Sequence, residues 1–203
     1  MSLHEALSYK DWARAQTIVE ERLAGAGAAG ADELFEGKLP IHLACEHGAP
    51  AALLGRLIEA NPRCVGAPVE ACGRFPLHFA VGEGAECPAR SVALLLEAVE
   101  GSVEPGAMFF CNTPDAAGRT PLHLAVRAGR AGALLCGADV FELLLARAPA
   151  AARLADGKGC LPLHAAAGFG TVVWRLQQLL ALHPAALAHR DGTGKPPLHW
   201  AHL

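Results

Sequence analysis

The chain has 203 residues, of which 52% are hydrophobic, 18% charged and 5% aromatic, with a formal net charge of -3. That apolar content supports a packed core and excludes an intrinsically disordered chain, while the near-neutral balance gives no global attraction to nucleic acid or anionic lipid. Alanine and leucine dominate, which favours helices, and no uncharged apolar run approaches the roughly 18 residues of a membrane helix.

Residues 3–23 read as two helices broken near Tyr9 and Lys10. Leu3, Ala6 and Leu7 line one face, and Trp12, Ala15, Ile18, Val19 and Leu23 line another at helical spacing. Glu5 falls inside what would be a leader segment, and no apolar run follows it, so this is not a secretory signal. Residues 24–33, rich in Ala and Gly, read as a connection with no packing signal.

From residue 34 onward one phrase recurs five times: LPIHLACEHG, FPLHFAVGEG, TPLHLAVRAG, LPLHAAAGFG and PPLHWAHL. Its histidines are His42, His78, His123, His164 and His199, with spacings of 36, 45, 41 and 35 residues. A period in this range signals a solenoid of stacked units. A glycine stands three residues before each repeated proline: Gly37, Gly73, Gly118, Gly159 and Gly194. Asp115, Asp156 and Asp191 open D-x-x-G turns, where the Asp side chain caps its own backbone and Gly takes positive φ; Leu34 and Glu70 stand in the equivalent places of the first two turns. The following proline suits the first turn of a helix, where a missing N–H costs nothing. A short helix with small alanines follows, and the glycine after it ends that helix.

A second helix carries the leucines: Leu57-Ile58, Leu94-Leu95-Leu96, Leu143-Leu144-Leu145 and Leu179-Leu180. Neither helix of a pair is long enough to stand alone in water; stacked pairs would bury one continuous core. The phrases ANPRC, RAPAA and LHPAA should stop the second helices and begin slightly long fingers. The surplus over a regular period lies in 129–144, between the helices of the third full repeat, and in 100–114, which lengthens a finger.

The phrase D-x-x-G-x-T-P-L-H-x-A, complete at Asp115 to Ala125, resembles the ankyrin repeat. The resemblance implies an all-α solenoid of helix–turn–helix repeats with finger loops. Residues 1–33 would form a degenerate capping pair and linker, and 34–203 an array of four full repeats and a truncated fifth. The fifth stops at Leu203 within its first helix, which reads as a piece of a longer array or as an apolar face left for a partner. In the family the threonine hydroxyl bonds the motif histidine. Here only Thr120 is kept; Leu39, Phe75, Leu161 and Pro196 replace it, so four histidines should be anchored through backbone groups alone.

Catalytic and cofactor chemistry find little support. Motif histidines about 10 Å apart cannot converge on one ion. His42/His47 and His199/His202 lack a third ligand. The seven cysteines are odd in number and contain no C-x-x-C pair, which points to reduced thiols in the cytosol or nucleus. Cys45, on the same helix face as His42, reads as a small core residue. No phosphate-cradling glycine motif and no G-x-S-x-G occurs. No cofactor, metal, nucleic acid or membrane is expected, and nothing in the sequence sets an oligomeric state.

The resemblance implies a scaffold or adaptor that binds another protein in its concave groove, without catalysis. The alternative is a targeting segment of a longer enzyme whose catalytic domain lies beyond residue 203. Carried over by position, the finger tips are Lys38, Arg74, Arg119, Cys160 and Lys195, and the variable first-helix positions include Glu46, His47, Glu83, Arg127 and Phe169. The basic row favours an acidic partner segment, with Arg119 and Arg127 at its centre. Met108, Phe109 and Phe110 either anchor a partner or fold back on the stack.

Overall fold

A computed structural model describes residues 2–24, 34–82, 87–101, 110–128, 138–169 and 173–201. Within them lie the helices α1 (Leu3–Ser8), α2 (Trp12–Ala24), α3 (Pro40–Glu46), α4 (Ala51–Ala60), α5 (Pro76–Val81), α6 (Ala89–Gly101), α7 (Pro121–Ala128), α8 (Ala138–Arg147), α9 (Pro162–Gly168), α10 (Val173–Leu182) and α11 (Pro197–Trp200). They form two rows. The first helices α1, α3, α5, α7, α9 and α11 touch in that order, and the second helices α2, α4, α6 and α8 do the same. The Trp174 ring of α10 stands edge-on to Phe141 of α8 at 5.5 Å, which continues the second row.

The core runs between the rows. Leu53, Leu54 and Leu57 of α4, Leu95 and Leu96 of α6, Phe141 and Leu144 of α8, and Leu179 of α10 are buried. Across from them lie the small residues Ala44, Ala80, Ala125 and Ala166, which let the first helices approach closely. Burying a leucine stabilises by about 2 kcal/mol. Six- to ten-residue helices are held by that packing rather than by their own propensity.

At the N-terminal end the Ser2 hydroxyl accepts the Glu5 N–H while the Glu5 carboxylate accepts the Ser2 N–H, a reciprocal cap that starts α1. The chain breaks where Lys10 adopts φ 58. Asp11 then caps α2 through the Arg14 N–H. α1 packs on α3 and α2 on α4.

Two details differ from the pattern read in sequence. Pro62, Pro149 and Pro184 do more than end the second helices: each begins a five-residue 3₁₀ turn before the finger starts. A proline at the first position of such a turn loses no hydrogen bond, so the chain continues helically. The glycines after the first helices are also not equivalent. Gly48 has φ 78 and closes α3, with the Ala49 N–H reaching the Ala44 carbonyl; Gly82 leaves α5 in extended backbone.

The fingers come in three sizes. In the last three, the aspartate N–H bonds the tip carbonyl: Asp115 with Arg119, Asp156 with Cys160, and Asp191 with Lys195. The first finger is tighter. Phe35 pairs with Lys38 across Glu36 and Gly37, both at positive φ, the signature of a two-residue hairpin turn. The second is wider, with Val69 pairing to Arg74. Leu34 and Glu70 are therefore not the counterparts of the aspartates; Phe35 and Val69 hold that place, because without the carboxylate cap the loop length is free to change.

Candidate partner-binding surface

Each motif histidine fixes a finger against a helix. In four repeats the residue before the proline donates its N–H to the histidine Nδ1: Leu39 to His42, Phe75 to His78, Thr120 to His123 and Leu161 to His164, at 3.0–3.2 Å. A backbone N–H can only donate, so Nδ1 accepts and the proton sits on Nε2. That Nε2–H reaches a carbonyl in the next repeat: Ala67, Arg119, Cys160 and Lys195, respectively. The histidine thus does for the helix start what glutamate does in a capping box and also ties neighbouring repeats together. The Thr120 hydroxyl adds a further contact to His123 Nδ1 at 2.9 Å. Pro196 has no N–H, so His199 cannot be anchored through the backbone in this way, and it lies exposed.

Burial pushes the pKa values of His42, His78, His123 and His164 below the ordinary imidazole value, and that of His78 to about 4. These rings are neutral structural links.

The fingers join edge to edge. Ala116 donates to the Cys72 carbonyl, Gly157 to Ala117 and Gly192 to Lys158, at 2.8–2.9 Å. Gly118 is held at φ 76 with the neighbouring finger so near that an added Cβ would lie 2.2 Å from the Gly157 nitrogen. Within each finger the aspartate Oδ1 accepts two backbone N–H groups, Ala117 and Arg119 for Asp115, and Lys158 and Cys160 for Asp156.

His links at equivalent places, stacked fingers and paired helices together reproduce the repeat that the motif implies, and residues 41–141 match the family description "Ankyrin repeats (3 copies)". The chain belongs to the ankyrin-repeat family. Compared one by one with curated proteins, it matches none. Ankyrin repeats are in general protein-interaction modules. No helix among the described residues is long and apolar enough to cross a membrane.

The inner surface of this ankyrin array is less uniformly basic than its row of tip residues. Lys38 pairs with Glu46 at 2.6 Å and lies 5.3 Å from the centre of the Phe79 ring. Arg74 and Arg119 both turn to one carboxylate, Asp115, at 3.2 and 2.9 Å. Asp115 is buried, which raises its pKa, but the hydrogen bonds and charge of Arg119 outweigh this and hold it below the usual carboxylate value. Arg127 of α7 lies over the Phe169 ring at 4.6 Å. Lys195 is exposed at the last finger, and His47 is half-buried at the end of α3. Cys160 is buried at its tip, and burial pushes its thiol pKa up to about 11, so it is a poor nucleophile. Cys45, fully buried, is raised well above the ordinary thiol value for the same reason.

Glu83, Met108 and Phe109 lie outside the described residues. Phe110 is half-buried, with its ring 4.9 Å from Phe75 and packed over Gly66. It faces the stack.

Arg119, Arg127 and Phe169 come together around a pocket of about 180 Å³ between the third and fourth fingers and α7 and α9. Lys158 and Trp200 also line it. Neither was singled out in sequence. Lys158 sits between two finger glycines, two positions before the tip residue Cys160, and Trp200 follows the last motif histidine.

Proposed function

We propose that this ankyrin array is a protein-binding scaffold that receives an acidic segment of another protein across its fingers and first helices. One observation carries the reading: the last two fingers present exposed lysines, whereas the basic tips of the first three fold onto carboxylates of the array. Among the described finger residues, Lys38 pairs with Glu46, and Arg74 and Arg119 pair with Asp115, whereas Lys158 and Lys195 are exposed on the last two fingers. Exposed cations of this kind steer an acidic partner and set its register more than they add raw affinity.

The test is affinity capture from cell extract with wild type and with Lys158 and Lys195 both changed to Glu. Arg74 and Arg119 are unsuitable for charge reversal, because they hold a finger together. Partners that are retained equally by the reversed variant would contradict the acidic-segment reading; selective loss of partners rich in Asp and Glu supports it.

A further inference from the structure

The row of fingers is broken in one place. From the third finger onward each donates a backbone N–H to the finger before it: Ala116 to Cys72, Gly157 to Ala117 and Gly192 to Lys158. The donor is the residue after the one in the aspartate place. In the second finger that residue is Glu70, which follows Val69, and among the described residues its N–H has no acceptor. The first finger is only a two-residue hairpin across Glu36 and Gly37, and among the described residues no backbone hydrogen bond joins it to the second. Where that rung is missing, a space of about 610 Å³ opens between the two fingers, walled by Leu34, Leu39, Pro68 and Val69.

We infer that an extended segment of another protein enters this gap, with a large apolar side chain in the space, a Lys or Arg beside it, and a main-chain carbonyl accepting the Glu70 N–H. Each element of that occupant answers a feature of the gap. A strand-like segment supplies the hydrogen bond that the short first finger does not, while the space between the fingers selects a side chain. Leu34 is 63% exposed at the gap, apolar surface that a partner residue would remove from water. The charge at this end is negative. Glu70 lines the gap and Glu36 stands beside Gly37, which also lines it. Both carboxylates are exposed and make no ion pair among the described residues. The cations of the same two fingers, Lys38 and Arg74, are turned to Glu46 and Asp115. A basic residue is therefore attracted here and an acidic one repelled. The gap goes beyond the acidic-segment reading and does not rest on it, since the exposed lysines stand on the last two fingers and select the opposite charge.

Peptides displayed on phage and selected on the full chain test this. The selected sequences should include a class with Lys or Arg within two positions of Leu, Met, Phe or Trp. Ala71 is exposed and lines the gap, so Ala71→Trp should fill it. Glu36→Lys combined with Glu70→Lys should repel the basic residue. Each variant should weaken a synthetic peptide of that class at least tenfold, with the urea unfolding midpoint unchanged. Lys158→Glu combined with Lys195→Glu should leave its binding as in wild type. The Glu70 amide proton should shift as the peptide is titrated in an NMR spectrum.

No basic apolar class among the selected peptides, or one that binds wild type and both gap variants equally, would overturn the inference while leaving the acidic-segment reading intact. A class that tolerates Glu in place of its Lys or Arg would overturn the charge assignment. A concentration-dependent dimer of the wild type that Ala71→Trp abolishes would give the gap to a second copy of the chain and overturn it as well.

Discussion

Acidification should loosen this protein well above the pH at which ordinary acid denaturation begins. His42, His78, His123 and His164 each use Nδ1 as an acceptor and Nε2–H as a donor. A second proton on Nδ1 would set N–H against N–H and place a charge in the core. Their folded-state pKa values lie below the unfolded value, so the unfolded chain binds more protons in the window between the two. Stability is therefore full above about pH 6.5 and falls as pH drops toward the folded-state values. For His78, about 4 against about 6.5 corresponds to about 3 kcal/mol, a large share of a typical 5–15 kcal/mol. The other three histidines add in the same direction. Urea titrations followed by circular dichroism at pH 7.5, 6.5, 5.5 and 5.0 would measure this. His78→Gln keeps an acceptor for the Phe75 N–H but does not titrate, so it should flatten the pH dependence even if it lowers stability at pH 7.5. An unfolding midpoint that does not move between pH 7.5 and 5.0 would refute the neutral-link assignment.

Three further outcomes follow from the fingers. Gly118→Ala forces a Cβ into the Gly157 backbone at positive φ and should cost roughly 2–5 kcal/mol, lowering Tm by on the order of 5–15 °C in a scanning calorimeter. Asp115→Ala removes the acceptor of two backbone N–H groups and the shared partner of Arg74 and Arg119. It should cost about 3 kcal/mol by urea denaturation, with Asp115→Asn falling between it and wild type. Thr120→Val deletes only the hydroxyl contact to His123 and should cost about 1 kcal/mol; a neutral result would mean the backbone N–H alone secures the ring.

The stacking was legible because its determinants are local. Pro-Leu-His at a helix start, glycine at a finger bend and leucines on the following helix each act within a few residues. The same locality let the break at Lys10 be read from the change of apolar face. Finger length was not legible in the first two repeats, where no aspartate sets the loop and backbone pairing chose Phe35 and Val69 instead. Tip charges were visible in the sequence, but their neutralisation was not. Arg74 meets a carboxylate 41 residues further along the chain, which only the stacking of fingers brings near. Lys158 is not marked by the repeated phrase, which singles out the residue after the finger glycine, whereas the stacked finger also presents the residue before it. Phe110 could not be placed from sequence, since its partner Phe75 lies at the other end of the same helix pair, before α5.

The central claim is that the fingers and first helices, not the second-helix row, receive the partner. Hydrogen–deuterium exchange of the chain with and without a captured partner tests it directly. Protection confined to segments around residues 117–128 and 157–169 is the predicted result. Protection concentrated on α4, α6 and α8, with those two segments unchanged, would contradict it.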